Sequence, residues 1–498
     1  MARSSKEPDY LLRFWLLALV STLGLLLLYF LPSNIFGWEP NKVDLLSDLR
    51  REEVDSALLK PEDPLALSQQ ARSDDKVVRR REEIYRKLEE QSKQEQEASG
   101  TLPTDLDSTV SPISRLADMS PRHDGMQRFF AQLRQRSRLG RPVRIAVLGD
   151  SFIEGDIFTG SLRSQLQARY GGAGVGWMPL TSETAGFRRT IRHEFKGWRE
   201  YNQLRTKGRY PLPSHYYTGS EGDWVRYTLP KGSQPCTEAI LYYSSPQGTS
   251  LSVSIDGGEP TTIDLPESES LSAYKLNSSA FSSIRFSLAS GASGFVCYGV
   301  GLDGASGISV DNFSTRGNSG LTLHSLDSEL NRAFCSARPY DLIILQYGLN
   351  TISQKQLDYS HYIKQFGGAI DHLRSSIGST ECLLLGVSDR GMKSNGAVVT
   401  MPAVRALEQG QIRLAAEKGL VFWSTREAVV RLGGIGALAS RGWAAKDYTH
   451  LSHRGGQELA RQFLDAFFLE EKYYDAIKET QRATHALAPP TRDGASRR

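Results

Sequence analysis

The sequence has few of the residues that build metal or disulfide centres. It contains four cysteines and nine histidines in 498 residues, and no Cys/His spacing is typical of a zinc site. The net charge is only +4, and no basic patch interleaved with aromatic residues indicates nucleic-acid binding. The chain is long enough for two or three globular domains, whose chemistry must come from other residues.

The four cysteines fall into two groups by their surroundings. Cys236 and Cys297 lie in a β-rich region and could pair in an oxidising compartment. Cys335 and Cys382 stand in apolar contexts and are predicted to be buried thiols.

An uncharged, leucine-rich run near the N-terminus predicts a transmembrane anchor over residues 10–31. Its fully uncharged part, Phe14–Leu31, is just long enough to span a bilayer. Arg3, Lys6 and Arg13 precede it, so we expect a single-pass anchor in the inner membrane with the bulk of the chain on the periplasmic side. A cleaved signal peptide is the alternative, but no small-residue cleavage site follows the run.

The composition and the hydrophobic periodicity of the rest of the chain divide it into several segments. Helix-strand alternation is interrupted by a region of short alternating strands and turn residues, which predicts a β-sandwich or jelly roll inserted into an α/β domain. The predicted segments are a polar and charged linker (32–115), the first part of the α/β domain (116–182), the inserted β domain (183–305), the second part of the α/β domain (306–470) and a polar C-terminal tail (471–498).

The stretch Arg144–Asp156 carries the strongest chemical signal. Four apolar residues, 145–148, predict a buried strand, and Gly149, Asp150 and Ser151 follow it directly. The next residues have helical spacing, so Ser151 is predicted to lie on a strand-to-helix turn, where unpaired backbone N–H groups favour a developing oxyanion.

Three later stretches combine with this one. Tyr340–Asn350 contains a second buried strand and ends on Asn350, and Ile308–Gly320 is a strand that runs into a turn at Gly317. The third, Asp447–His453, offers an aspartate and a histidine three residues apart, Asp447 and His450. In open parallel sheets, ligands bind beyond the carboxyl ends of the strands, which is where Ser151, Gly317 and Asn350 fall.

These blocks together resemble those of the SGNH (GDSL-type) hydrolase superfamily. The resemblance implies a flavodoxin-like, three-layer α/β fold with a parallel sheet. It assigns Ser151 as nucleophile, His450 as general base and Asp447 as the residue that orients it. It also implies an oxyanion hole formed by Ser151, Gly317 and Asn350, and it requires no metal and no organic cofactor.

Further features resemble one branch of that superfamily, the peptidoglycan O-acetylesterases of bacterial envelopes. These are the inserted β domain, a glycine-rich run after the first helix, and the short strand Val421–Trp423 well before Asp447. Phe152 and Leu349 depart from the usual pattern and affect substrate contacts rather than the triad. The resemblance implies a membrane-anchored serine esterase that removes O-acetyl groups from an envelope glycan, with peptidoglycan as the expected substrate.

Two alternatives stay open at this point. One is a glycan O-acetyltransferase that uses the same triad, and the other is a glycan-binding module with an inactive hydrolase domain. The insert interrupts the chain between Ser151 and Gly317, so both its ends should attach near the cleft. Its aromatic residues could stack on sugars, although core packing is the expectation for any single one. They are Trp198, Tyr201, Tyr210, Tyr216, Tyr217 and Trp224.

Overall fold

The computed structural model describes residues 63–70 and 115–487, together with helical positions 15, 79, 82–87 and 90. The chain divides into two compact units, Met1–Pro61 and Glu62–Arg498, and the elements below belong to the second. The predicted anchor at 10–31 lies outside the described residues except for Trp15, and most of the predicted linker does too. Within the described part, no helix is both long and apolar enough to cross a bilayer.

The secondary structure alternates between strands and helices at both ends of the chain and is purely β in the middle. In chain order the strands are β1 (Ala117–Asp118), β2 (Val143–Gly149), β3 (Gly174–Met178), β4 (Arg192–Lys196), β5 (Arg199–Asn202), β6 (His215–Thr218), β7 (Trp224–Thr228), β8 (Glu238–Ser245), β9 (Thr249–Ile255), β10 (Thr261–Leu265), β11 (Ser268–Asn277), β12 (Ser283–Ser290), β13 (Val296–Asp303), β14 (Ile308–Ser314), β15 (Leu342–Gln346), β16 (Glu381–Leu385), β17 (Gly391–Ser394), β18 (Ala397–Thr400) and β19 (Val421–Trp423). The α-helices are α1 (Pro64–Gln70), α2 (Gln127–Arg134), α3 (Thr159–Tyr170), α4 (Ser328–Ala337), α5 (Ser360–Arg374), α6 (Pro402–Lys418), α7 (Thr425–Arg431), α8 (Gly434–Ser440) and α9 (His453–Leu487).

The central sheet has the strand order β1-β19-β16-β15-β2-β14. Every pair is parallel except β1 with β19. All seven residues of β2 are buried, as expected for a strand covered by helices on both faces. The predicted α/β class with a parallel sheet is therefore confirmed.

The register of this sheet places three loops at one edge. Ser314 at the end of β14 and Gln346 at the end of β15 both pair with Gly149 at the end of β2. The loops that carry Ser151, Gly317 and Asn350 therefore start from one lateral row of residues. Topology alone brings the three predicted site segments together.

The middle of the chain forms two antiparallel sheets that face each other. One has the order β10-β9-β12-β7-β4, and the other has β11-β8-β13-β6-β5 with β3 paired to β13. The core between them is built from alternate strand residues such as Val225, Leu241 and Phe286. Cys236 and Cys297 are separate, buried thiols of this region and form no disulfide in this structure.

The glycine-rich run after the first helix contains the strand β3. Gly174 and Gly176 have positive φ angles, and a β-carbon would lie 2.2 Å from the Leu302 carbonyl at Gly174 and 2.4 Å from the Asp311 carboxylate at Gly176. Only glycine permits this approach of β3 to β13 and β14. The first part of the α/β domain thus contributes a strand to the sheet of the insert.

A buried charge network joins the insert to the central sheet. The Arg338 guanidinium, which is fully buried, donates to Asp303 on β13 (2.7 Å) and to Asp311 on β14 (2.6 and 2.8 Å). Arg144 on β2 lies 3.4 Å from Asp303, so two cations face two carboxylates. Burial alone would raise the pKa of Asp303, but the charges of Arg338 and Arg144 hold it well below its ordinary value.

The last helix, α9, extends well into the segment that the sequence predicts as a polar tail. It begins at His453 and continues to Leu487, so residues 471–487 of the predicted polar tail are helical. The physical reason is an apolar face that extends past residue 468. Tyr473 stacks on Tyr85 with ring centroids 5.0 Å apart, and Tyr474 packs against Phe130 at 5.7 Å.

Residues Leu321–Ser325 form a 3₁₀ turn, and α4 starts only at Ser328. The Asp327 side chain accepts a hydrogen bond from the backbone N–H of Leu330 (2.9 Å), which fixes the start of the helix there.

Candidate active site

Ser151 lies on a tight turn directly after β2. The Asp150 carboxylate accepts a hydrogen bond from the Phe152 backbone N–H (2.9 Å) and so starts a 3₁₀ turn over Ser151–Asp156. A β-carbon on Gly149 would lie 2.9 Å from the Gln346 carbonyl oxygen, so the glycine is required where β2 passes β15.

The α-helix after this turn begins at Thr159, close to Ile157, where the helical spacing of the sequence begins. Glu154 is extended (ψ 160°) and Gly155 is left-handed (φ 59°), so the 3₁₀ turn ends and α3 begins at Thr159. The dipole of α3 therefore starts eight positions beyond Ser151 and adds little to the electrostatics of the site, since the effect is confined to the first turn.

Ser151, His450 and Asp447 form a continuous hydrogen-bonded chain. The Ser151 Oγ lies 2.9 Å from His450 Nε2, and His450 Nδ1 lies 2.7 Å from Asp447 Oδ2. The structure thus brings together the three residues that the sequence predicts as a triad. An imidazole that donates from Nδ1 to a carboxylate presents Nε2 as the acceptor for the serine hydroxyl.

The local chain supports this geometry. The second carboxylate oxygen of Asp447 accepts hydrogen bonds from the backbone N–H groups of Thr449 (2.9 Å) and His450 (3.1 Å). Partial burial acts to raise the pKa of Asp447, but the hydrogen bonds from His450 and Thr449 outweigh it, and the pKa lies below its ordinary value. The carboxylate is therefore ionised at neutral pH and can fix the tautomer of the histidine.

Gly317 lies in the turn that follows β14. The backbone N–H of Thr315 donates to the Gly149 carbonyl (2.9 Å), which ties this turn to the end of the nucleophile strand. Gly317 has a φ of 81°, and no atom lies within 4 Å of the position of a β-carbon there. The positive φ angle, rather than a lack of space for a β-carbon, favours glycine at this position.

Asn350 lies beside the loops that carry Ser151 and Gly317, but its side-chain amide is already hydrogen-bonded to both of them. Its Nδ2 donates to Asp150 Oδ2 (3.1 Å) and to the Asn318 carbonyl (3.0 Å). These acceptors belong to the residues directly before Ser151 and directly after Gly317. The side chain thus bridges the two loops, and its part in an oxyanion hole stays a prediction because both amide hydrogens are directed at protein oxygens.

Asp150 is a site residue that the sequence interpretation treated only as part of a turn. Its carboxyl group is fully buried. Desolvation raises its pKa to about 7, although the hydrogen bonds from Phe152 and Asn350 and the nearby His450 act in the opposite direction. A carboxyl group directly before a strand-end serine is the signal that could have identified it.

The aromatic residues of the insert divide between core and partly exposed positions. Trp198, Tyr210 and Tyr217 are buried, in line with the core expectation. Tyr201 and Tyr216 are partly exposed and stack on each other with ring centroids 4.7 Å apart.

The comparisons with known proteins agree with the fold. No protein-family model and no curated protein matches the chain. A solved structure described as a peptidoglycan O-acetylesterase in action superposes with a TM-score of 0.58 at 21% identity, covering 74% of this chain and 99% of the other. An acetyl xylan esterase (TM-score 0.26, 17% identity, 32% and 81% coverage) and a family two carbohydrate esterase from Cellvibrio japonicus (TM-score 0.25, 12% identity, 57% and 99% coverage) are also similar.

The fold is thus an α/β domain with a mostly parallel central sheet, into which a β-sandwich is inserted. The predicted resemblance to SGNH esterases is confirmed at the level of the fold. The superposition covers 99% of the first of these structures, so nearly all of that chain shares the fold.

Proposed function

We propose that this protein is a serine esterase that removes O-acetyl groups from an envelope glycan, with peptidoglycan as its substrate. The observation that carries the proposal is the Ser151–His450–Asp447 chain, with its 2.9 and 2.7 Å contacts, at the carboxyl edge of the parallel sheet. The likeness to a peptidoglycan O-acetylesterase supports the choice of substrate.

The mechanism follows from the positions of these atoms. His450 Nε2 takes the proton of the Ser151 hydroxyl as Oγ attacks the acetyl carbon, and the carbonyl electrons move onto the oxygen. The backbone N–H groups of Ser151 and Gly317 would stabilise this oxyanion, and each such donor contributes on the order of 3 kcal/mol. Asp447 stabilises the imidazolium that forms.

Two further steps complete the reaction. When the tetrahedral intermediate collapses, the bond to the sugar oxygen breaks, and that oxygen takes the proton from Nε2. Acetyl-Ser151 is left behind. A water molecule, deprotonated by His450, then attacks the same carbon, and acetate leaves as the proton returns to Oγ. No step needs a metal or an organic cofactor.

We further propose that residues 10–31 anchor the enzyme in the inner membrane, with the hydrolase on the periplasmic side. The uncharged run and the cationic residues before it support this topology. A glycan of the envelope would then be accessible to the exported domain.

The test is acetate release from purified O-acetylated peptidoglycan beside an acetylated xylan control. The wild-type protein should release acetate faster from peptidoglycan, and Ser151→Ala should release none from either polymer. Acetate that moves from a supplied donor to the glycan, rather than to water, would identify a transferase instead. A wild-type protein that leaves both the polymers and 4-nitrophenyl acetate intact would refute an esterase.

A further inference from the structure

A polar cleft of about 120 Å³ lies between the insert and the hydrolase. Its walls include Glu154 and Gly155, which belong to the same 3₁₀ turn as Ser151, and Arg316, which directly precedes Gly317. The insert contributes Glu200 and His215 from β5 and β6. The cleft is therefore adjacent along the chain to the loops that carry Ser151 and Gly317.

The walls of this cleft offer both hydrogen-bond donors and acceptors. Arg316 forms a bidentate pair with Glu154 (2.6 and 3.0 Å) while its side chain stays 62% exposed. Glu200 accepts from the Thr181 hydroxyl (2.8 Å), and one of its carboxylate oxygens lies 3.4 Å from His215 Nε2. Partly exposed carboxylates and a guanidinium suit the hydroxyl groups of a sugar and not an acyl chain.

One large apolar side chain lies beside this polar wall. Phe187 is 46% exposed, and a β-carbon on Gly155 would lie 2.4 Å from its ring, so the ring rests directly on the nucleophile turn. Its backbone carbonyl lies 3.2 Å from His453 Nε2, and the two rings are 4.9 Å apart. His453 is three residues after His450, so Phe187 bridges the nucleophile turn and the histidine loop.

This position is unusual for an exposed phenylalanine. One part of the ring is held by Gly155 and His453, while almost half of the residue faces solvent. Its chain neighbours Ala185 and Arg188 line the cleft. The ring is thus a fixed apolar surface at the rim of a polar cleft, the combination that binds a sugar ring by one face and by its hydroxyl groups.

We propose that the cleft and Phe187 form a subsite for a pyranose unit of the glycan next to the acetylated one, with the sugar stacked on Phe187 and its hydroxyl groups bonded to Glu200 and Arg316. The proposal rests on the esterase function proposed above and adds the residues that select a polymer over a small ester. Binding energy from this sugar would orient the acetyl group at Ser151.

The experiment compares kcat/KM on soluble O-acetylated peptidoglycan fragments with kcat/KM on 4-nitrophenyl acetate. Phe187→Ala should lower the value on the fragments roughly tenfold, as expected for one stacking contact, and lower it much less on the small ester. Phe187→Trp should keep the value on the fragments within about threefold because it retains an aromatic face. Glu200→Gln should also reduce turnover of the fragments more than that of the small ester.

Val430→Ala is the matched control, since Val430 is 41% exposed on α7 and does not line the cleft. It should change neither activity. Equal effects of Phe187→Ala on both substrates, or no effect on either, would overturn the subsite while leaving the esterase intact. Wild-type protein that cleaves neither substrate would instead refute the esterase, and the subsite with it.

Discussion

Replacement of Arg338 by methionine should destabilise the protein strongly, and the effect should depend on pH. The guanidinium donates to both Asp303 and Asp311 in a fully buried position, and its loss leaves two carboxylates with Arg144 as the nearest remaining cation, 3.4 Å from Asp303. Breaking a buried ion pair by removing one partner costs about 3–5 kcal/mol. We therefore expect the free energy of unfolding to fall by about that amount at neutral pH.

The pH dependence distinguishes the charge effect from lost packing. In the wild-type protein the pKa of Asp303 is depressed, so its contribution to stability is full above its unfolded pKa and is lost only as the pH falls through the folded value. In the variant, the buried carboxylates lose their main counter-charge, so their pKa values rise and the folded state gains protons. The variant should then become more stable as the pH falls from about 8 to about 5, and the gap to wild type should narrow.

Urea denaturation at several pH values measures both quantities. Arg209→Met is the control, because this arginine is 65% exposed and its pairs with Asp327 and Glu329 are screened by solvent, so the loss should stay under about 1 kcal/mol. If Arg338→Met loses no more unfolding free energy than Arg209→Met, or loses the same amount at every pH, the stabilising role of the buried charge network is refuted.

Three further predictions address the site and the anchor. Asp447→Asn should lower kcat on 4-nitrophenyl acetate by roughly three to four orders of magnitude, because an amide cannot hold the required tautomer of His450, and a loss below about tenfold would contradict the triad. Burial raises the pKa of Asp150 to about 7, so the free energy of unfolding should decrease as the pH rises from about 4 to about 7. Asp150→Asn should flatten this pH dependence when the free energy is measured by urea denaturation. An unchanged slope would contradict the assignment of the pH dependence to Asp150. Deletion of residues 1–36 behind a cleavable export signal should yield soluble protein with wild-type kcat, whereas a folded but inactive product would place part of the site in the deleted segment.

The sequence predicts best where a local signal and the final environment agree. Leu342–Gln346 and Val421–Trp423 are apolar runs, and the structure has strands over those residues. Pro402 lies at the first position of α6 and Gly419 directly after its last residue, the places that favour proline and glycine in a helix. The types and the order of Ser151, Asp447 and His450 likewise identify the triad that the structure assembles.

The elements and contacts that the sequence did not predict have physical causes. β1 is two residues long and exists only because it pairs with β19, which is distant in the chain. The hairpin β17–β18 had a signal, since Asn395 and Gly396 have φ angles of 48° and 79°, and an Asn-Gly pair is typical of a tight hairpin turn. The engaged amide of Asn350 could not be predicted, because it depends on the burial of Asp150, which only the packed structure defines.

The strand order of the central sheet has a consequence for how the chain folds during synthesis. Both neighbours of β2, which are β14 and β15, follow the insert in the chain. The apolar β2 therefore leaves the ribosome with no partner on either side, while the strands of the insert pair among themselves. Contacts of such long sequence separation form slowly, and an unpaired apolar strand is prone to aggregate. Ser151, the proposed nucleophile, can be positioned only when β14 and β15 close on β2, so the final folding step and the appearance of activity should share one rate.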